Sequence, residues 1–235
     1  VRRSNNLLLA QAAVERERAN LARYFSPNVV DQLSTNDEPL KQVVEQEIAV
    51  LFVDIIGFTT YASAREPRDV IQTLREFHGR MEREVFRHDG TLDKYLGDGL
   101  MATFGTPFAG DTDALNALRC ASAMAASVDK WNAERAEKGL EKIKAGFGIH
   151  AGPVVLGDIG ANRLEFAVIG NTVNVASRLE SLTRQLDGRI VASDDLMARA
   201  YSQSSRDDKI YGGMTKVTGQ EIRGVEGEMT VWTAA

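Results

Sequence analysis

Two aspartates define the chemistry this chain could perform. Asp54 closes an apolar run within FVDIIGFTT (residues 52–60), and Asp98 stands between two glycines within KYLGDGLMATFG (residues 94–105). The run Ile48 to Val53 is apolar and free of proline, as expected of a central strand covered on both faces, so Asp54 emerges at its carboxyl end. Leu92 to Leu96 and Leu100 to Phe104 flank Gly97-Asp98-Gly99, which predicts a hairpin with Asp98 at its tip. Neighbouring strands in one sheet would bring the two carboxylates together. Alone they repel, and one is driven towards protonation; bridged by divalent cations they become hard-oxygen ligands for Mg²⁺ or Mn²⁺. Two-metal phosphoryl chemistry uses such a pair, with the ions ~3.5–4 Å apart. Asp98 also has a local reason to sit in a turn, because aspartate hydrogen-bonds its own backbone there. Asp54 has none, since it is followed by the apolar Ile55-Ile56-Gly57-Phe58.

The elements that must position these groups follow from the remaining pattern. Pro67 opens a long amphipathic helix to about Arg87, with Val70, Leu74, Phe77, Met81 and Val85 on one face. Asp111 is expected to cap a helix running to about Lys138. Ile143 to His150 and Pro153 to Ile159 read as paired strands around Ala151-Gly152. Asn171 to Thr183 reads as a helix with Val173, Val175, Ala176, Leu179 and Leu182 apolar. Asn174 and Arg178 lie four apart on it and so share a face. Residues 189–232 hold shorter strands and a short helix around Ser193 to Ala200. Helices and strands interleaved with hairpins predict an α+β sandwich.

Before this domain, residues 5–24 lack Gly and Pro, and Leu7, Val14 and Leu21 recur at sevenfold spacing. That pattern predicts a helix, either a short coiled coil interrupted at Glu17 or a helix packed on its own domain. The expected division is a helix and lead-in over 1–33, a linker over 34–44 and the main domain over 45–235.

The 235 residues carry 28 basic and 33 acidic side chains, a net charge of −5, with 43% hydrophobic residues. The core is ample, and no long basic block points to a nucleic-acid or anionic-membrane footprint. Cys120 is the one cysteine, so no internal disulfide forms, and it reads as a small core residue in a reducing, cytoplasmic compartment. No apolar run approaches the ~20 residues of a membrane span. Arg2-Arg3 and Leu7 to Ala10 imitate a secretory signal, but the apolar stretch is short and runs into ERER. The initial Val predicts a fragment of a longer protein. His78, His88 and His150 show no metal-ligand spacing.

FVDIIGFT, KYLGDGLMATFG, GIHAGPVVLGDIG (148–160) and FAVIGNTVNVASRLE (166–180) closely resemble the class III nucleotidyl cyclase catalytic domain, in the family's order, over roughly residues 45 to 232. The resemblance implies a ferredoxin-like, palm-type fold and attack of a nucleoside triphosphate's 3′-hydroxyl on its own α-phosphorus. Two Mg²⁺ or Mn²⁺ per site would be held by Asp54, Asp98 and the Ile55 carbonyl, with Phe58 and Thr59 lining the triphosphate cradle. Asn174 and Arg178 match the positions that orient the ribose and offset charge on the α-phosphate. Arg163 and Arg223 match β- and γ-phosphate contacts, although a lysine often stands at the place of Arg223.

Lys94 matches the adenine-selecting lysine, whose ammonium donates to the ring N1; guanine presents a donor there. Ala167 stands where adenylyl members usually carry Asp or Thr, and it cannot accept a hydrogen bond from the exocyclic amine. The expectation is an adenylyl cyclase acting on ATP with loosened purine preference. Guanylyl cyclase and an inactive nucleotide-binding regulatory module are the alternatives. A diguanylate cyclase signature is absent. In the family the aspartates and the Lys94/Asn174/Arg178 set meet one nucleotide from opposite subunits, implying a head-to-tail homodimer regulated through the N-terminal helix by an upstream domain.

Overall fold

The computed structural model describes residues 43–159, 165–186, 188–205 and 213–235, with isolated helical positions at 12, 15 and 16. Most of the expected N-terminal helix, the lead-in and linker up to residue 42, and Arg163 lie outside the described residues.

The first half of the domain runs β1 (Val44–Ile55), α1 (Phe58–Ser63), α2 (Pro67–Arg87), β2 (Thr91–Leu96), β3 (Gly99–Phe104), α3 (Asp113–Glu137) and β4 (Ala145–Ile159). Its strands lie in the order β2-β3-β1-β4, and β1 is antiparallel to both neighbours. That arrangement is the split βαβ of a ferredoxin-like fold. The second half adds β5 (Glu165–Ile169), α4 (Asn171–Leu182), β6 (Ile190–Ser193), α5 (Asp194–Gln203), β7 (Thr215–Glu221) and β8 (Glu228–Ala234). β5 and β6 both pair with β4, and β8 and β7 extend the sheet beyond β6.

Alternation along β1 separates two cores. Ala49, Leu51, Val53 and Ile55 pack with Phe77, Met81 and Val85 of α2, and with Leu118, Met124 and Trp131 of α3. Ile48 and Val50 face the other side with Val154, Leu156 and Ala176 of α4. Phe77 is fully buried. Truncating such a phenylalanine to alanine costs about 3–5 kcal/mol.

Two expectations are corrected. Thr112, not Asp111, precedes the first residue of α3, and no side chain caps it. The stretch 145–159 is one continuous strand rather than a hairpin about Ala151-Gly152, and β1 pairs along it from Ile55↔Ala145 to Val44↔Leu156. Gly152 marks a close approach: a Cβ there would lie 2.8 Å from Thr172 Oγ1 of α4. Pro153 is tolerated because it falls between the stretches paired to β6 and to β5.

Gly146, Gly148 and Gly152 share one face of β4, and α4 rests on it. A Cβ at Gly148 would strike the Glu180 amide nitrogen and the Ala176 carbonyl. Val175, Leu179 and Leu182 of α4 close a third cluster with Val191, Ile222 and Val231. Cys120 is buried, as expected. His150 is structural: it is buried, and its Nδ1 lies 2.7 Å from Ser193 Oγ, which also accepts the Leu196 amide to cap α5.

Candidate active site

Alternation along β1 turns Asp54 towards the face that α4 covers, where Ile48 and Val50 also point. Pairing of Val53 with Leu100 and of Leu96 with Gly99 sets the β2–β3 turn beside the end of β1. Gly97 turns the chain with φ 72. Gly99 admits the close approach, since a Cβ there would collide with the Val53 carbonyl and lie 3.0 Å from Asp54 Oδ1. Asp98 and Asp54 thereby meet. Burial first, then the Asp98 and Glu180 charges, push Asp54 up to about 6 against the opposing Arg184; protonated Asp54 shares a hydrogen bond with Asp98.

Arg184, just past the end of α4, donates from Nη2 to Asp54 Oδ2 at 2.8 Å and from Nη1 to Glu180 Oε2 at 3.1 Å. Glu180 is 6% exposed, and its Oε1 is buried without a hydrogen-bond partner among the described residues. Burial raises its pKa, and Arg184 opposes that rise. Neither Glu180 nor Arg184 figured among the expected site residues. Their acid-to-base spacing of four across the end of a helix was the available signal.

The acid pair fits a magnesium-like cation. Among the described residues no group of three or more His, Cys, Asp or Glu side chains is disposed to hold a metal ion. Mg²⁺ is commonly bound through one or two carboxylates plus substrate phosphates, whereas zinc and calcium sites draw more of their ligands from protein. Ile55 is buried at the end of β1, and the next amide, Ile56, donates to the Lys144 carbonyl at 2.8 Å. Phe58 and Thr59 open α1 directly afterwards; Phe58 stacks on Tyr61 with centroids 6.1 Å apart.

Asn174 is exposed on α4 and Arg178 follows one turn later, half-buried. Arg178 is directed at the turn between β7 and β8. A Cβ on Gly224, whose φ is +75, would lie 2.6 Å from Arg178 Nη1, and that nitrogen is buried without a hydrogen-bond partner. Arg223 immediately precedes this glycine and lines a hollow of about 500 Å³. The structure therefore brings Arg178 and Arg223 to one region, and Asp54 and Asp98 to another. Among the described residues, the cation paired with Asp54 is Arg184, not Arg178.

Lys94 projects from β2 beside a β-bulge, with Nζ 3.3 Å from Asp93 Oδ2. Ala167 is 6% exposed on β5, opposite Gly157. A separate cavity of about 330 Å³, lined by Tyr61, Arg65, Trp131 and Arg135 among others, contains none of the expected site residues.

The adenylate and guanylate cyclase catalytic domain profile matches residues 40–233. Adenylate cyclase 1 of Rhizobium meliloti (strain 1021) is 36% identical over 155 residues, covering 66% of this chain and 23% of that protein. Adenylate cyclase of Anabaena cylindrica is 35% identical over 181 residues, covering 75% and 35% respectively. The chain thus spans about a quarter to a third of the length of these curated relatives. Among solved structures, the guanylyl cyclase Cya2 superposes with TM-score 0.72 at 30% identity, over 82% of this chain and 93% of that one. The adenylyl cyclase CyaB from P. aeruginosa superposes with TM-score 0.70 at 26% identity, over 83% and 96%. With the profile covering most of its length, the chain belongs to the adenylate and guanylate cyclase catalytic domain family.

Proposed function

We propose that the chain is an adenylyl cyclase that closes ATP to 3′,5′-cyclic AMP and releases pyrophosphate. The observation carrying this reading is the convergence of Asp54 and Asp98, where the β2–β3 turn is set against the end of β1. The new bond joins the ribose 3′-oxygen to the α-phosphorus, the bond to the β-phosphate breaks, and the hydroxyl proton is lost. Asp54, Asp98 and the Ile55 carbonyl would hold two Mg²⁺ or Mn²⁺. When bound, these ions lower the pKa of the attacking hydroxyl and stabilise charge on the phosphate oxygens. Asn174 orients the ribose, and Arg178 offers its buried, unpartnered Nη1 to charge that grows on the α-phosphate. Arg163 and Arg223 grip the β- and γ-phosphates, Phe58 and Thr59 line the cradle, and Lys94 donates to adenine N1.

The two sets of groups point to different regions of one chain, which supports a site shared between two copies. Opposed in a twofold homodimer, the acid pair of one copy meets the Asn174/Arg178 pair of the other, twice. Mixing Asp54→Ala with Asn174→Ala protein tests this. Each is inactive alone, and an equal mixture recovers about a quarter of wild-type turnover, because half the dimers are mixed and each carries one intact site of two. No recovery rejects the shared site.

A second reading, guanylyl cyclase or mixed purine use, is favoured by buried Ala167, which offers no acceptor to the adenine amine. Comparing ATP and GTP turnover by purified protein decides between them. Equal rates defeat the adenylyl assignment. An upstream domain acting through the N-terminal helix would regulate the assembly, and deletion of residues 1–30 without effect on activity or dimerisation removes the helix from that role.

A further inference from the structure

Arg184 is neither one of the matched family positions nor a surface ornament. Its guanidinium forks between two carboxylates, reaching Asp54 Oδ2 at 2.8 Å and Glu180 Oε2 at 3.1 Å. Its anchor, Glu180, is itself fixed in place. It lies buried against Gly146, where a Cβ would come 2.8 Å from Glu180 Oε1 and 2.5 Å from Thr183 Oγ1. Gly146 pairs with Asp54 across the sheet. The glycine, the glutamate, the arginine and the aspartate thus form one closed set at the end of β1.

We propose that Arg184 is a positioning residue for metal loading: it holds Asp54 by Oδ2, turns Oδ1 towards the β2–β3 turn that carries Asp98, and competes with the incoming cation for carboxylate charge. The orientation follows from the contacts. Oδ2 is engaged by Arg184, whereas the nearest side-chain atom to a Cβ built on Gly99 is Asp54 Oδ1, at 3.0 Å. A divalent ion held jointly with Asp98 is therefore met by a preset oxygen. The same guanidinium places a permanent positive charge beside that ion's ligand, which weakens cation affinity while fixing geometry. Arginine suits the task because its planar fork serves two carboxylates at once and never deprotonates; lysine supplies charge without the fork.

The proposal rests on the reading of Asp54 and Asp98 as metal ligands, and its test separates the two. Mn²⁺ binding is measured without nucleotide, by calorimetry and by electron paramagnetic resonance of free Mn²⁺. Wild type, Asp98→Ala, Arg184→Gln and Arg184→Lys proteins are compared. Wild-type binding lost in Asp98→Ala supports the metal reading, and no wild-type binding overturns that reading together with this proposal. Given wild-type binding, Arg184→Gln is expected to hold Mn²⁺ on the order of fivefold more tightly through loss of the competing charge. Arg184→Lys retains wild-type affinity. Both variants lose kcat with little change in nucleotide KM, because orientation of Asp54 is lost in each. Unchanged Mn²⁺ affinity in a folded Arg184→Gln protein overturns the proposal while leaving the metal reading intact. Should Arg184→Gln fail to fold, Glu180→Gln, which loosens the anchor but keeps Arg184, must lower kcat without weakening Mn²⁺ binding; unaltered kcat overturns the proposal.

Discussion

Around Asp54 the chain partly answers its own charge: a half-buried acid has a second acid beside it and a guanidinium 2.8 Å away. Around Arg178 it does not. There a guanidinium nitrogen is buried against a glycine turn with no acceptor among the described residues. A buried donor left unpaired costs about 1–3 kcal/mol, so an anion supplied from outside is the natural partner of this second region. The acid region is built for cations and the α4 region for anions. On the proposed function a metal–triphosphate would join the two, and neither region would complete a site by itself.

The strongest way to break this contrast is Asp98→Asn. Turnover should fall about a thousandfold or more, since a metal ligand is lost, while the melting temperature holds or rises as carboxylate repulsion disappears. Retained product formation with Mn²⁺ and ATP would remove the acid region from the chemistry. Arg178→Ala comes next. Removing one stabiliser of developing charge is expected to cost about a hundredfold in kcat, and folding stability should not drop, because the buried nitrogen had no partner to lose. A large fall in the denaturant midpoint would instead mark Arg178 as a structural residue.

Gly224→Ala sharpens the comparison without deleting a charge. At φ +75 the new methyl is strained and lies 2.6 Å from Arg178 Nη1, so the guanidinium must shift. We expect about a tenfold loss of kcat and roughly 1 kcal/mol of stability. Normal activity would show that the position of Arg178 against this turn is unimportant.

The smallest effect distinguishes a functional acid from a merely buried one. Asp113 is also pushed up to about 6, again chiefly by burial, but it is opposed by the Gly110 amide, which donates to Oδ2 at 2.7 Å, rather than by a guanidinium. A carboxyl raised on folding contributes stability that is full below its unfolded pKa of about 4 and is lost as pH climbs through its folded pKa of about 6. Asp113→Asn should therefore flatten the decline in stability between pH 4 and 6, measured by urea melts with chelator present. An unchanged slope would mean that Asp113 is not held protonated by the fold.

Much of this architecture is legible in the residues themselves. The apolar run before Asp54 and the glycines around Asp98 encode local geometry, so strand end and turn could be read directly. Asn174 and Arg178 share a face because helical spacing is also local. What was hidden depends on contact between distant segments. Ala151-Gly152 before Pro153 reads as a turn, yet the glycine serves the approach of Thr172 and the proline sits in a gap between partner strands. Arg184 and Asp54 are brought together by the seating of α4 on β4, which no local pattern announces. Asp111 looks like a cap, but the helix begins two residues later, where the exposed turn supplies none.

At Gly148 helix and strand touch backbone to backbone, while Gly146 and Gly152 make room for the Glu180, Thr183 and Thr172 side chains that come down onto the strand. Because β4 is laced to β1 from end to end, the helix, both strands and the residues they display travel as one stiff plate. In the proposed dimer, a signal would tilt or slide one such plate across the other. It has little purchase on the spacing inside either, so control of output would be exercised at the seam between copies.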